Sequence, residues 1–230
     1  KIAMFLFKRD TRAPMLALTF ASAACVTLLG ARIVWTNNAS YRLLVWNLFL
    51  AWLPLVFALL ACELDRRGAR RDWRFAGLAV AWLLFFPNAP YIFTDMIHLT
   101  MGFHRYFWVD LSIFLLCALT GFVLGFVSLY LMQGVVERLL GKVIGWFFIA
   151  GVAGLTGFGI YLGRIMRFNS WDVVARPVAL SKSIGAWMAN PASHPSGLAF
   201  AVMFAMFFFI AYVMLYALTH LPKPLPLGRP

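Results

Sequence analysis

Six apolar runs alternate with short polar connectors along the chain: Met15–Trp35, Leu43–Cys62, Phe75–Phe93, Phe107–Met132, Val143–Leu162 and Gly197–Leu218. About 20 apolar residues cross the hydrocarbon core of a bilayer as a helix. A helix also satisfies its own backbone groups where water cannot. The pattern predicts an all-α integral membrane protein, a six-helix transmembrane bundle in which residues 1–230 form a single polytopic domain. No connector is long and polar enough to fold as a separate soluble unit, and no internal repeat stands out.

The third run departs from the pattern. It holds only about a dozen residues between Phe75 and Pro87, after which the chain reads PNAPYIFTDMIHL. Pro87 and Pro90 each remove a backbone donor and disfavour helix at the preceding residue. The third helix is therefore expected to kink near Asn88, whose side chain can satisfy freed backbone groups or cap the next turn. With helix resuming after Pro90, Tyr91, Thr94, Asp95 and His98 fall three and four apart and share one face. Ile92, Phe93, Met96 and Leu99 take the other.

A second polar cluster closes the fifth run, GIYLGRIMRFNSWD. Helical spacing puts Gly157, Tyr161 and Arg164 on one face, with Arg167 three residues on and Asn169, Ser170 and Asp172 opening the longest connector. That connector, Arg164 to Pro195, mixes Trp171, Val174, Val178, Ile184, Trp187 and Met188 with Asp172, Arg176, Lys182 and Ser183. It predicts an interfacial amphipathic segment with tryptophan at headgroup level. Pro177 keeps it from being one unbroken helix.

Composition strengthens the membrane reading: 63% of the residues are hydrophobic and 12% charged. The net charge of +12 does not point to nucleic acid, because the basic residues sit in connectors and leave no basic soluble face. Their distribution sets an orientation. With the N-terminus cytoplasmic, thirteen of the twenty Lys and Arg fall inside, among them the block RRGARRDWR. Both termini are then cytoplasmic, and both polar clusters face outward. Arg164 and Arg167 sit at the outer end of the fifth run against this rule, and a charge so placed is either paired or functional. Cys25, Cys62 and Cys117 read as small buried apolar residues rather than a disulfide framework. Lys8, Arg9 and Arg12 before an apolar run raise the question of a signal peptide; the run continues past Cys25 to Gly30, which favours an uncleaved span. The fifth run is rich in glycine and the fourth carries Gly121 and Gly125 as GxxxG, the pattern of two helices in close approach.

The strings PNAPYxxTDxxHL and GxYLGRxxRxNSWD resemble the signature segments of a bacterial membrane family catalogued as domain of unknown function 1361. The resemblance runs from the second apolar run to the last. It implies a multi-helix protein of the bacterial plasma membrane and carries no activity and no cofactor with it.

Several chemistries compete for the polar residues. Asp95 and His98 could offer two metal ligands, with Asp172, Asp110 or His104 completing a shell, but no HExxH pattern supports a metal site. Arg164 or Arg167 could form ion pairs with Asp95, Asp110 or Asp172 that tie helices together. Arginine also suits bidentate recognition of phosphate. HPSGLAF echoes a motif of membrane phosphatases, yet Leu198 stands where that motif needs histidine. Transport lacks ionisable residues at the centres of the runs. Aromatics such as Phe207, Phe208 and Phe209 could face lipid or a protein partner. The expected function is recognition of an anionic lipid headgroup or lipid-linked substrate. Asp95 and His98 would be the catalytic or orienting groups, and Arg164, Arg167, Asn88, Tyr91, Tyr161, Asn169 and Asp172 the binding residues. The alternative is a non-catalytic accessory or assembly subunit, or an oligomer, in which the same charges are structural pairs.

Overall fold

Each of the six apolar runs is helical in the computed structural model, which describes residues 9–39, 41–68, 72–99, 105–190 and 195–221, with only the backbone of residues 9–11 and 98. The helices are α1 (Arg9–Thr36), α2 (Leu43–Arg66), α3 (Trp73–Phe85), α4 (Asn88–Tyr91), α5 (Phe107–Leu140), α6 (Lys142–Arg164), α7 (Asp172–Ala175), α8 (Pro177–Ala189) and α9 (Pro195–Thr219), with a 3-10 helix at Ile92–Leu99 after α4. Among the described residues, six stretches are long and apolar enough to cross a membrane, the third being Trp73–Ile97, which runs through α3, α4 and the 3-10 helix. Among the described residues there is no strand.

Helix α5 is the hub. It packs against α1, α2, α4, the 3-10 helix and α6, and touches α9, whose main partner is α6. One apolar cluster joins α1, α2 and α5 around Leu29, Leu55 and Phe114. A second joins α3, α5, α6 and α9 around Trp82, Phe122, Ile149 and Phe208. Phe208 is therefore core rather than a lipid-facing or partner-facing residue: its ring meets Phe86 edge-on at 5.5 Å and Phe122 at 5.7 Å. Phe207 stays half exposed yet also contacts Phe93 at 5.6 Å.

Attraction between helices in lipid rests on close packing and hydrogen bonds, since lipid is as apolar as leucine. Buried polar side chains accordingly find partners across helices. Trp82 Nε1 donates to Ser128 Oγ at 2.6 Å, and Tyr212 Oη donates to the buried Gln133. Only Gly141, at φ +93°, separates α5 from α6; that left-handed conformation lets one residue reverse the chain.

The expected α5–α6 contact is made at Gly145, which faces the Glu137 side chain, while the other small residues serve different neighbours. Gly121 and Gly125 receive the broken third span: a Cβ at Gly121 would lie 2.7 Å from Ile92 Cδ1, and one at Gly125 3.0 Å from Ala89 Cβ. Gly157 of α6 faces the backbone of α9 at Ala201, while Gly159 and Gly163 face Pro87 and Tyr91. Two of these α6 glycines thus seat the proline break, as does the GxxxG of α5.

Candidate functional site

The expected break in the third span is present, and its repair explains why two distant motifs meet. Ala89 N–H bonds back to Phe86 O at 3.1 Å, three residues earlier, so the carbonyls of Leu84 and Phe85 lose their usual helical partners. Asn88 Nδ2 donates to Phe85 O at 2.9 Å and also to Ser170 Oγ at 3.0 Å, and Ser170 Oγ donates to Leu84 O at 3.1 Å. Of its two expected roles, Asn88 takes the first: its side chain answers a freed carbonyl, while Pro87 holds the N-cap position of α4. We expect Ser170→Ala to cost about 1–3 kcal/mol, the range for stranding buried polar groups, read as a lowered unfolding midpoint in detergent. Ser170→Thr should recover much of the loss.

Beyond Tyr91 the backbone is 3-10 rather than α-helical. The tighter winding buries Ile92, Thr94, Asp95 and Leu99 and leaves Ile97 exposed, so the expected division into a polar and an apolar face is not kept. Arg164, in the last turn of α6, spans to this segment. Its Nη2 lies 2.5 Å from Asp95 Oδ1 and 2.7 Å from Thr94 Oγ1, and its Nε donates to the same hydroxyl at 3.0 Å. The Thr94 hydroxyl donates its own hydrogen bond to Tyr91 O at 2.7 Å. The guanidinium also stacks 4.7 Å from the centre of the Tyr91 ring. Asn47 of α2 donates to the other carboxylate oxygen, Oδ2, at 2.6 Å. The Asp95 side chain is 7% exposed and that of Arg164 16%.

This cluster ends a cavity of about 820 Å³, within the size range of small-molecule sites. One wall is α2, with Leu43, Leu44, Trp46, Asn47 and Leu50 at helical spacing. The opposite wall is α6 at Gly159, Leu162, Gly163 and Arg164. Pro87, Asn88, Tyr91 and Asp95 make the floor, and Trp171, Val173 and Leu180 cover it from the α7–α8 side. The break creates this space. Helix α3 is largely exposed or half-buried, whereas α4 and the 3-10 helix turn inward onto α5. Of the exposed residues in the lining, Leu43, Trp46, Trp171 and Val173 are apolar and Asn169 is polar, and the two indoles are 6.3 Å apart. Tyr41, which also lines the cavity, keeps its phenol protonated: burial raises its pKa and the Asp110 carboxylate adds to the rise.

The structure gathers Asn88, Tyr91, Asp95, Arg164 and Asn169 around one cavity. Three other expected site residues stand apart from its lining. Tyr161 is buried beside Gly197 of α9, so it does not share the Arg164 face. Arg167 is exposed in the left-handed conformation, φ +59°, where the chain reverses after α6. Asp172 accepts from the Asn169 N–H at 2.7 Å and takes a two-pronged bond from Arg176 at 2.9 Å on each oxygen, which holds its carboxyl below the usual range. The His98 side chain, with His104 and His194, lies outside the described residues. Among the described residues, no three His, Cys, Asp or Glu gather as a metal site would require.

Asp110 belongs to a different pair. Arg32 of α1 grips it with Nε at 2.8 Å and Nη2 at 2.9 Å, gives Nη1 to Asn38 O at 2.8 Å, and stacks on Tyr41 at 4.7 Å. Sequence reasoning overlooked Arg32 and Asn47. Each is a polar residue inside or beside an apolar run, and that isolation was the available signal.

A search of curated proteins found no match, and a search of solved structures likewise found none. The profile of one family, described as protein of unknown function (DUF1361), matches residues 46–214. This range carries both motifs, the proline break, Arg164 and the α7–α8 cover. The chain therefore belongs to the DUF1361 family, as its two signature strings suggested.

Proposed function

We propose that the protein binds a membrane lipid or lipid-linked substrate, with the headgroup on the Arg164–Asp95 floor and the chain along the apolar wall of α2. In this reading the six helices sit in the plasma membrane of a bacterium with both termini cytoplasmic, the cavity lies toward the outer face, and α8 rides in the interface. The observation that carries the reading is a mainly apolar mouth (Leu43, Trp46, Trp171, Val173, with Asn169 its polar member) and an apolar α2 wall that lead to the hydrogen-bonded Asp95–Arg164 cluster. A water-soluble ligand would gain nothing from such a rim. A lipid would enter from the bilayer with its tail still in apolar surroundings. Of the two arginines that suggested an anionic headgroup, Arg164 lines the cavity and is already paired with Asp95, and Arg167 stands outside the lining. Asp95 would orient the headgroup through the oxygens that also hold Asn47 and Arg164.

Native mass spectrometry of the gently purified protein tests this. Wild type is expected to retain a lipid in stoichiometric amount, and Val173→Trp, which narrows the mouth at an exposed position, is expected to lose it while matching the unfolding midpoint of delipidated wild type. One observation favours the alternative of a non-catalytic subunit: Asp95, Asp110 and Asp172 each carry an arginine partner, as purely structural pairs would. A lipid-free protein that travels with another polypeptide would make that the better reading.

A further inference from the structure

We infer that the floor of this cavity reads a hydroxyl-rich headgroup, a sugar or comparable polyol, rather than a bare phosphate; the inference rests on the lipid-binding reading above. The charged residues lining the cavity are Asp95 and Arg164, one of each sign, in direct contact at 2.5 Å. Their fields largely cancel at the distance of a ligand, so a phosphate would find little net attraction and would meet the Asp95 carboxylate as it entered.

Neutral hydrogen-bonding groups are abundant there. Asn47, Asn88, Asn169, Ser170, Tyr41 and Tyr91 line the same space. A carboxylate has room for about four hydrogen bonds, and Asp95 takes one from Asn47 and one from Arg164. It can accept further O–H donors, and adjacent carboxylate and amide groups match the alternating donors and acceptors of vicinal hydroxyls. Asn88 spends its amide hydrogens on Phe85 and Ser170, leaving its carbonyl oxygen to accept. The indoles of Trp46 and Trp171 at the mouth offer apolar faces to the C–H side of a sugar ring, beside the point where a chain would leave for the bilayer.

The test compares two lipids with the same acyl chains, monoglucosyl diacylglycerol and phosphatidic acid. Each is added to full-length protein in a polyoxyethylene detergent, which has no sugar of its own, and bound lipid is counted by native mass spectrometry. The glucosyl lipid is expected to be retained about tenfold more, a difference of about 1.4 kcal/mol, and octyl glucoside should displace it. Asn47→Leu and Asn169→Ala should each shrink the preference, the second being an exposed position whose change leaves folding intact. Equal retention, or a preference for phosphatidic acid, would overturn the hydroxyl inference while leaving lipid binding in place. Retention of neither lipid would overturn both.

Discussion

Asp110→Ala is expected to lower stability by about 3–5 kcal/mol, the cost of removing one partner from a buried ion pair. The side chains of Arg32 and Asp110 are 5% and 0% exposed, and their two parallel bonds join α1 to the hub helix α5. Without the carboxylate, a guanidinium stays inside the bundle with no counter-charge, held by Asn38 O and the Tyr41 ring. Asp110→Asn preserves the shape and loses the charge, so it should fall between wild type and alanine. The double variant Arg32→Met/Asp110→Leu removes both charges and should recover most of the loss, because a buried pair often does no better than apolar residues of similar volume. Unfolding in detergent provides the measurement. A single variant that unfolds at the wild-type midpoint would mean that water reaches the pair.

The contrast with Asp95–Arg164 separates scaffold from site. Both pairs link an arginine near the end of one helix to an aspartate on another segment, at the same end of the bundle. Asp110 is held by its arginine within the packing of α1 and α5, whereas Asp95 and Arg164 line open space. Arg32 and Tyr41 form a second layer behind that space: Tyr41 lines the cavity and has the Arg32 guanidinium stacked on its ring. Loss of Asp110 should thus loosen one wall of the cavity as well as the bundle.

The six spans and the proline break were legible because they depend on local rules: run length, the missing proline donors and the apolar surroundings. The convergence of PNAPY with NSWD was foreshadowed by both lying at one side of the membrane, but the reason was not. It lies in the orphaned carbonyls of Leu84 and Phe85, and which side chain reaches a freed carbonyl is a tertiary matter. Partner choice among the charges was likewise hidden. Sequence offered three aspartates to two arginines, while Arg32 and Arg176 took two of those aspartates in the fold. Helical spacing misplaced Tyr161 relative to Arg164, because Tyr161 turns to α9 and the long Arg164 side chain reaches the other way across Gly163. The 3-10 winding after Tyr91 could not be read from residue types, and it decides that neighbours Thr94 and Asp95 both meet the same guanidinium.

Gly157→Ala and Gly154→Ala, one turn apart on α6, are expected to move stability in opposite directions. A Cβ at Gly157 would lie 2.1 Å from Ala201 O and 2.9 Å from Ala205 N, both backbone atoms of α9. No rotamer change relieves such a contact. The helices would have to part by about 1 Å merely to reach the shortest separations that side-chain carbons tolerate. Parting them also strips the packing on which α9 depends, since its main partner is α6 and most of its surface is exposed. Overpacking of this kind typically costs about 1–3 kcal/mol and occasionally more, and the backbone origin of the clash puts Gly157→Ala at or above the upper end. At Gly154 a Cβ meets nothing within 4 Å. There the substitution adds helix propensity alone, a gain of up to about 1 kcal/mol. Unfolding midpoints of the two variants against wild type in one detergent give the comparison. A neutral Gly157→Ala would show that α9 can pull away from α6 at little cost, and would remove close backbone approach as the reason for glycine at that position.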